Sequence, residues 1–300
     1  INQNNQTPEF FDIEFQQQNE EELCVSIAIR AINSKKSYVI ECIVQRAIAE
    51  FTARRHELGI HGVIGVFGGA AGLYELLVPK LRRLIENCVV RVASECGCIL
   101  LDGGTASGLM EFVGSAVGAL KHSAKSSNLT TIGDVPYLVG CLPYDQANWD
   151  NRMTVPKSAW PSRLEKHHDL FVLVEGNKSM KARCLDWGSE TEFMFRIFNG
   201  IAASLKVKKI AILANGGTIT KKEALSCVRN GIPLILIEGS NRVTDKICSL
   251  RRTLQECAKT IKNKLRGRSS AASHQTKDHH NEPLGAIRGV ASVVAGEILL

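Results

Sequence analysis

Apolar residues along this chain alternate between two patterns. Short continuous runs occur at Gly62–Phe67, Cys98–Leu101, Pro136–Leu142, Leu170–Val174, Lys209–Leu213 and Leu234–Ile237. Between them lie longer stretches in which apolar residues fall three and four apart, as on one face of a helix. Ser37–Leu58 carries Val39, Ile40, Ile43, Ala47, Ile48 and Phe51 on such a face. A helix from Pro79, well placed as a first helical residue, carries Leu81, Leu84, Ile85, Cys88, Val89 and Val92 and ends near Gly97. Further helices are predicted over Ser107–Leu120, Glu190–Leu205, Thr220 to Gly231 and Arg242 to about Leu265. Thr220 is predicted as an N-cap with Glu223 at capping-box spacing, and Gly231 as the C-terminal stop. Leu23–Ala31 reads as an edge strand. Continuous apolar strands alternating with helices predict an α/β fold: Rossmann-like and doubly wound, a mainly parallel sheet with helices on both faces.

Four strands end on glycine turns: Phe67-Gly68-Gly69, Asp102-Gly103-Gly104-Thr105, Asn215-Gly216-Gly217-Thr218 and Glu238-Gly239-Ser240. In a parallel sheet the C-terminal strand ends share one edge, and ligands bind there where the strand order reverses. Exposed amides beside the Thr105, Thr218 and Ser240 hydroxyls suit phosphate oxygens. A tight turn alone also explains any single Gly pair. No G-x-x-x-x-G-K-[ST] occurs, and Gly103-Gly104-x-x-x-Gly108 is not G-x-G-x-x-G, which argues against a P-loop ATPase and an NAD dehydrogenase.

Composition narrows the classes. The 300 residues are 44% hydrophobic, enough for a sizeable core, but only 6% aromatic. That scarcity disfavours base stacking on single-stranded nucleic acid despite the net charge of +7. Much of the positive charge is concentrated between Arg251 and Arg268, where it reads as a solvated helix face. Ten cysteines without a CxxC pair, several in apolar patterns, fit a reduced, cytoplasmic protein. Cys96-Gly97-Cys98 cannot build a zinc site by itself, Asp278-His279-His280 reads as solvated, and no metal is expected. No window reaches the ~18 uninterrupted apolar residues of a membrane span. The expected organisation is an acidic, amide-rich flexible lead-in over 1–22, one Rossmannoid domain over 23–265, and a basic, His-rich linker with an apolar end over 266–300. The start at Ile1 and the end at Ile298-Leu299-Leu300 lead us to expect a piece of a longer protein.

In order and combination, the motifs resemble the SLOG superfamily. Gly103-Gly104-Thr105-Ala106-Ser107-Gly108-Leu109-Met110 is similar to its GGxxxGLM element, shared with the DNA-processing protein Smf/DprA and the Lonely-guy phosphoribohydrolases. Gly68-Gly69-Ala70, His168 before Phe171–Val174, Gly188-Ser189-Glu190, Ala214–Thr218 and Ile237–Arg242 match the branch found in melastatin-type TRP channels and their prokaryotic relatives. The likeness covers roughly residues 60–250. It implies a pocket for a nucleotide-derived ligand such as ADP-ribose or an NAD-related compound, with no resident cofactor. It also implies an effector or membrane domain elsewhere in a longer chain, and a homo-oligomer. Carried over residue by residue, Gly68, Gly69, Gly103, Gly104, Gly216 and Gly217 form the cradle. Thr105, Thr218 and Ser240 supply hydroxyls, and Gly108 and Gly239 complete the turns. Arg242 would pair with phosphate through its forked guanidinium, and His168 would donate to a ribose or phosphate oxygen.

The hydrolase branch also carries PGGxGTxxE, whose Glu is catalytic. After Val172-Leu173-Val174 this chain has Glu175-Gly176 and, further on, Gly188-Ser189-Glu190, without the Pro and paired Gly. Gly216-Gly217-Thr218-Ile219-Thr220-Lys221-Lys222-Glu223 fits the local pattern better, but lies one strand late, and Glu223 reads there as a capping residue. A nucleotide sensor is therefore expected. The alternative is a phosphoribohydrolase or N-glycosidase acting through Glu190, and a single-stranded DNA-binding module is the third reading.

Overall fold

The computed structural model describes residues 9–15, 24–32, 37–54, 59–69, 72–126, 135–148, 162–175 and 187–271. The chain divides into two units, Ile1–Asp245 and Lys246–Leu300. In chain order the first unit runs β1 (Glu9–Phe15), β2 (Cys24–Ile32), α1 (Ser37–Arg54) and β3 (Gly62–Gly68). Next come α2 (Val78–Leu84), a π-helical turn (Ile85–Val90), α3 (Arg91–Glu95), β4 (Cys98–Asp102) and α4 (Gly108–Ser126). They are followed by β5 (Leu138–Pro143), the short β6 (Ala147–Asn148) and β7 (Ser162–Arg163), and β8 (Leu170–Glu175). The last elements are α5 (Thr191–Ser204), β9 (Lys208–Ala214), α6 (Thr218–Arg229), β10 (Leu234–Leu236) and α7 (Arg242–Ala271), whose residues from 246 onward belong to the second unit.

Eight strands form one sheet in the order β1-β2-β8-β5-β4-β3-β9-β10, and β6 pairs with β7 separately. β1 runs antiparallel to β2, and every other neighbouring pair of the large sheet is parallel. From β3 the chain steps outward through β4, β5 and β8. It then returns to the other side of β3 with β9 and β10. Strand order thus reverses between β3 and β9, which opens a crevice beyond the carboxyl ends of those two strands.

Alternation along β3 builds both layers. Ile64 and Val66 enter a cluster with Leu81, Ile85 and Val89 of the α2-to-α3 helical segment and with Leu109 and Val113 of α4. Phe67 points to the opposite face, where its ring lies 5.2 Å from Phe195 and 6.1 Å from Phe198 of α5. β3 to β5 and β8 are buried along nearly their whole length, as strands covered on both faces must be.

Several boundaries differ from the sequence expectation. Glu9–Phe15, placed in a flexible lead-in, forms β1, because its pairing with β2 supplies hydrogen bonds that the amide-rich composition did not reveal. β1 takes the sheet edge, and β2, expected there, lies inside it. α4 continues to Ser126, past the end expected at Leu120. α6 starts at Thr218 with Gly217 as N-cap and no side-chain cap, so Thr220 is inside the helix and the capping box is not formed. Gly231 closes α6 as expected: with φ +60° it donates to Val228 O at 3.2 Å, and Ile232 donates to Cys227 O at 2.8 Å. α7 runs on to Ala271, past the boundary expected at 265. Residues 272–300, including Asp278-His279-His280, lie outside the described residues.

Gly114 and Gly118 of α4 stand one turn apart and form a notch. A Cβ at Gly114 would fall on the Glu165 carboxylate, and one at Gly118 on the His167 ring. Helix propensity alone predicts that Gly118→Ala stabilises α4 by about 1 kcal/mol. Overpacking against His167 costs about 1–3 kcal/mol. We expect net destabilisation, read as a lower midpoint in denaturant unfolding. A midpoint equal to or above wild type would show that the notch is not needed.

Candidate functional site

The carboxyl ends of β3, β4 and β9 meet in a cleft of about 530 Å³. Gly68 ends β3 and Gly69 follows it, Gly103, Thr105 and Ser107 follow β4, and Gly217 and Thr218 follow β9, all in its wall. Phe67, Met110, Trp187 and Ile219 supply apolar lining, while Glu190, Glu223 and Arg242 bring the ionisable groups.

The loop after β4 is shaped by charges buried beneath it. Asp102, the last residue of β4, is fully buried. Its Oδ1 accepts the Gly104 N–H at 2.7 Å and lies 2.8 Å from His168 Nε2. The other ring nitrogen, Nδ1, is 3.0 Å from Glu165 Oε2 and 3.1 Å from Glu165 O. Burial by itself would lower the His168 pKa, but the flanking Asp102 and Glu165 outweigh it and raise it to about 10. His168 is therefore an imidazolium that donates from both nitrogens. Burial would raise the Glu165 pKa, yet hydrogen bonds and charge from His167 and His168 bring it down to about 2. The His168 ring also stacks on Phe171, with centroids 5.1 Å apart. Beside this group, Lys121 Nζ binds Asp169 Oδ1 at 2.7 Å, and Asp169 Oδ2 accepts the Leu138 N–H at 2.8 Å.

That network corrects the expected role of His168. The residue lies under the loop rather than in the cleft wall, and both of its nitrogens serve the fold. Gly104 is corrected too. Its N–H is given to Asp102, its carbonyl accepts from Glu165 N, and at φ +68° a Cβ would come 3.1 Å from Gly140 Cα. It permits close packing of the loop on β5. Ala106 N donates to Arg163 O and Ser107 N to Thr105 O. Much of the loop's donor capacity is thus spent internally, and what it offers the cleft is Gly103 with the Thr105 and Ser107 side chains, whose hydroxyls are 3.0 Å apart. Gly108 starts α4 at φ +57° and does not line the cleft.

The opposite wall is better suited to an anion. α6 begins at the cleft with no side chain capping its first turn, which leaves N–H groups and partial positive charge facing it. Arg242 lies against this turn. A Cβ at Gly217 would come 3.1 Å from its Nη2, and one at Gly72 3.0 Å from its Nη1, so two glycines make room for the guanidinium. Asn241 and Arg242 have φ +78° and +57°, an unusual pair for residues with side chains. The Asp245 carboxylate holds that turn by accepting Gly239 N at 2.8 Å and Asn241 N at 2.9 Å. Ser240 Oγ accepts Asn215 N at 2.8 Å, and Val243 N donates to Gly216 O at 3.3 Å. Gly216, expected in the cradle, and Gly239 and Ser240, also expected at the site, instead build the turn that carries Arg242, and none lines the cleft.

Two carboxyl groups complete the site. Glu190 occupies the N-cap position of α5, and its Oε2 accepts the Gly188 N–H at 2.7 Å. Burial raises its pKa to about 7, against the pull of backbone hydrogen bonds and Lys222. Glu223, expected only to cap, is 8% exposed and lines the cleft. Burial first, and the Glu190 charge second, raise it to about 8. Its Oε2 has no hydrogen-bond partner among the described residues. The spacing of Gly216-Gly217-x-x-x-x-x-Glu223 was the signal in the sequence, but only the placement of β9 beside β3 brings Glu223 to the cleft. Gly72 and Trp187 had no such signal. Among the described residues no group of three or more His, Cys, Asp or Glu could hold a metal ion, and no helix is long and apolar enough to cross a membrane.

A doubly wound parallel sheet with a glycine-lined cleft at its switch point defines a Rossmann-like domain. A family model described as SLOG in TRPM, prokaryote, matches residues 61–277, and the chain belongs to that family. It is 24% identical over 211 residues to transient receptor potential cation channel subfamily M member 2 of Rattus norvegicus, covering 63% of this chain and 13% of the channel. Subfamily M member 7 of Homo sapiens is 24% identical over 229 residues, 72% of this chain and 12% of the channel. The chain thus matches only about an eighth of the length of these relatives. An X-ray structure of the structural-genomics target TM1055 aligns at 19% identity and TM-score 0.39, covering 63% of this chain and 80% of that one.

The buried charges set a pH dependence of stability. Glu165, lowered from 4.5 to about 2, stabilises the fold above pH 4.5 and loses that contribution as pH falls toward 2. His168, raised from 6.5 to about 10, contributes fully below pH 6.5 and loses its contribution as pH rises toward 10. Glu190 and Glu223, raised from 4.5 to about 7 and 8, favour folding below pH 4.5 and lose that advantage as pH rises through those values. Denaturant unfolding should therefore give stability that declines from pH 6 to 9. Glu223→Gln should flatten the decline and gain on wild type as pH rises. Parallel curves for the two proteins would refute the burial of a neutral Glu223.

Proposed function

We propose that this domain is a cytosolic sensor that binds a nucleotide-derived ligand, ADP-ribose or an NAD-related compound, within a larger signalling, channel-like or defence protein. The carrying observation is Arg242, held against the uncapped start of α6 inside the cleft. A forked guanidinium beside a helix N-terminus suits a phosphate or diphosphate. Gly103, Thr105 and Ser107 face it from the β4 side, and Trp187 offers a ring for a base. The kinship with melastatin-type channels supports a domain that reports to an effector elsewhere in a longer chain. A homo-oligomer belongs to the same proposal.

The carboxyl pair favours a second reading, a nucleotide N-glycosidase or phosphoribohydrolase. There the neutral carboxyl of Glu190 or Glu223 protonates the departing base. The other, once ionised, takes a proton from water as its oxygen bonds to C1′ and the C1′–N bond breaks. Titration calorimetry with ADP-ribose, NAD, cyclic ADP-ribose and AMP tests binding, and chromatography after long incubation tests turnover. We expect binding that Arg242→Ala weakens about tenfold or more, the cost of losing a charge-assisted pair. Full affinity in a folded Arg242→Ala protein would remove the proposed phosphate site. Turnover abolished by Glu190→Gln or Glu223→Gln would replace the pure sensor with the hydrolase. Gly104→Val is expected to destabilise the loop, because Gly104 packs on Gly140 and Phe171.

A further inference from the structure

We propose that the Glu190–Glu223 pair recognises the vicinal hydroxyls of a ribose, so that the cleft selects ribonucleotide-type ligands over deoxygenated or 2′-phosphorylated ones. This rests on the cleft being a nucleotide site, and it adds which part of the ligand decides selectivity.

The first argument is an unmet hydrogen bond. Glu223 is more than nine-tenths buried, lines the cleft, and has an Oε2 without a partner among the described residues. A buried acceptor left unsatisfied is costly, and a ligand hydroxyl that meets it recovers that cost on binding. The second argument is position. Glu223 is five residues after Thr218, the start of α6, which places its Cα about 7–8 Å along the helix axis from the anion end. Helical side chains lean toward the N-terminus, so its carboxyl approaches the phosphate position and the gap shortens to what a ribose with its 5′ carbon spans. The same helix would then hold the 5′-phosphate at its first turn and the sugar hydroxyls at its second.

The third argument is the chemistry of the pair. The Glu190 charge disfavours ionising Glu223, and burial disfavours ionising both. A carboxyl pair carrying a proton can both accept from and donate to hydroxyls, and a diol presents two adjacent groups of that kind. An anion gains nothing there. A 2′-phosphate would bring further negative charge and bulk against two buried acids, while Arg242 is already engaged at the phosphate end. A metal ion is a poorer occupant, because no third ligating side chain joins the pair among the described residues.

The experiment compares ADP-ribose and AMP with analogues that lack a 2′-hydroxyl, at either ribose in the case of ADP-ribose, and with their 2′-phosphates. Calorimetry is run on wild type, Glu223→Ala and Glu223→Gln. Wild type should prefer at least one parent ribonucleotide over its 2′-deoxy analogue by about 10–100-fold, as expected where a built hydrogen bond is lost. The 2′-phosphate should bind more weakly still. The preference should collapse to within threefold in Glu223→Ala and persist in Glu223→Gln, whose amide still donates and accepts. Equal wild-type affinity for parent and deoxy compounds overturns this proposal and leaves the nucleotide reading standing. No binding of any ribonucleotide overturns both. Undiminished preference in Glu223→Ala overturns the assignment to the pair, and melting curves of each variant show whether it is folded. If Glu223→Ala does not fold, the wild-type comparison and Glu223→Gln still decide.

Discussion

One imidazolium underlies the architecture of this site. His168 is buried between Asp102 and Glu165, with a hydrogen bond on each side. A lone buried charge costs several kcal/mol, so such an arrangement is tolerable only when every member is paired. Here Asp102 also receives the Gly104 amide, Glu165 also receives His167, and the glycine notch of α4 admits both Glu165 and His167. The triad ties three parts of the chain together: the end of β4, the turn before β8 and the face of α4. The loop at Gly103–Ser107 takes its shape from these ties, and that shape does not require a ligand. A preformed cleft wall binds without an added cost of ordering.

The opposite wall follows a different rule. There the chain accepts two left-handed residues, Asn241 and Arg242, and restrains them with Asp245, Ser240 and the carbonyls of Asn215 and Gly216. Backbone strain of this kind is stable only where surrounding contacts over-determine it. The result is a solvent-exposed guanidinium that lies against Gly72 and Gly217 at the cleft. The two walls divide the labour, since β4 and its loop give shape whereas α6 and Arg242 give charge. Between them, Glu190 and Glu223 carry carboxyls whose burial favours the neutral form, an arrangement that costs stability as pH rises and suits recognition or proton transfer.

Much of this was legible beforehand. The continuous apolar runs located β3, β4, β5, β8, β9 and β10, and the period-3.6 pattern located the helices between them. The glycine-terminated strands pointed to the sheet edge where the cleft lies. Of the residues expected at the site, Gly68, Gly69, Gly103, Thr105, Gly217, Thr218 and Arg242 line the cleft. His168, Gly104, Gly108, Gly216, Gly239 and Ser240 do not, although several of them shape it. A motif marks where the backbone turns tightly, and it does not distinguish an amide that faces a ligand from one satisfied by its own chain. Asp102 and Ser240 are the partners that consume the Gly104 and Asn215 amides, and neither pairing leaves a local signature.

Sequence by itself determined the layer class, the switch-point edge and the glycine turns, because hydrophobic periodicity and φ > 0 requirements are properties of residues and their immediate neighbours. Tertiary structure alone decided which acids matter. Glu223 reads as a helix cap in the chain, and it becomes a cleft acid only because β9 lies beside β3 and turns α6 toward Glu190. His168 reads as a ligand donor, and it becomes a structural cation because Asp102, 66 residues earlier, and the nearby Glu165 enclose it. Burial and the charge of distant neighbours set the ionisation of all these groups, and neither quantity exists until the chain has folded.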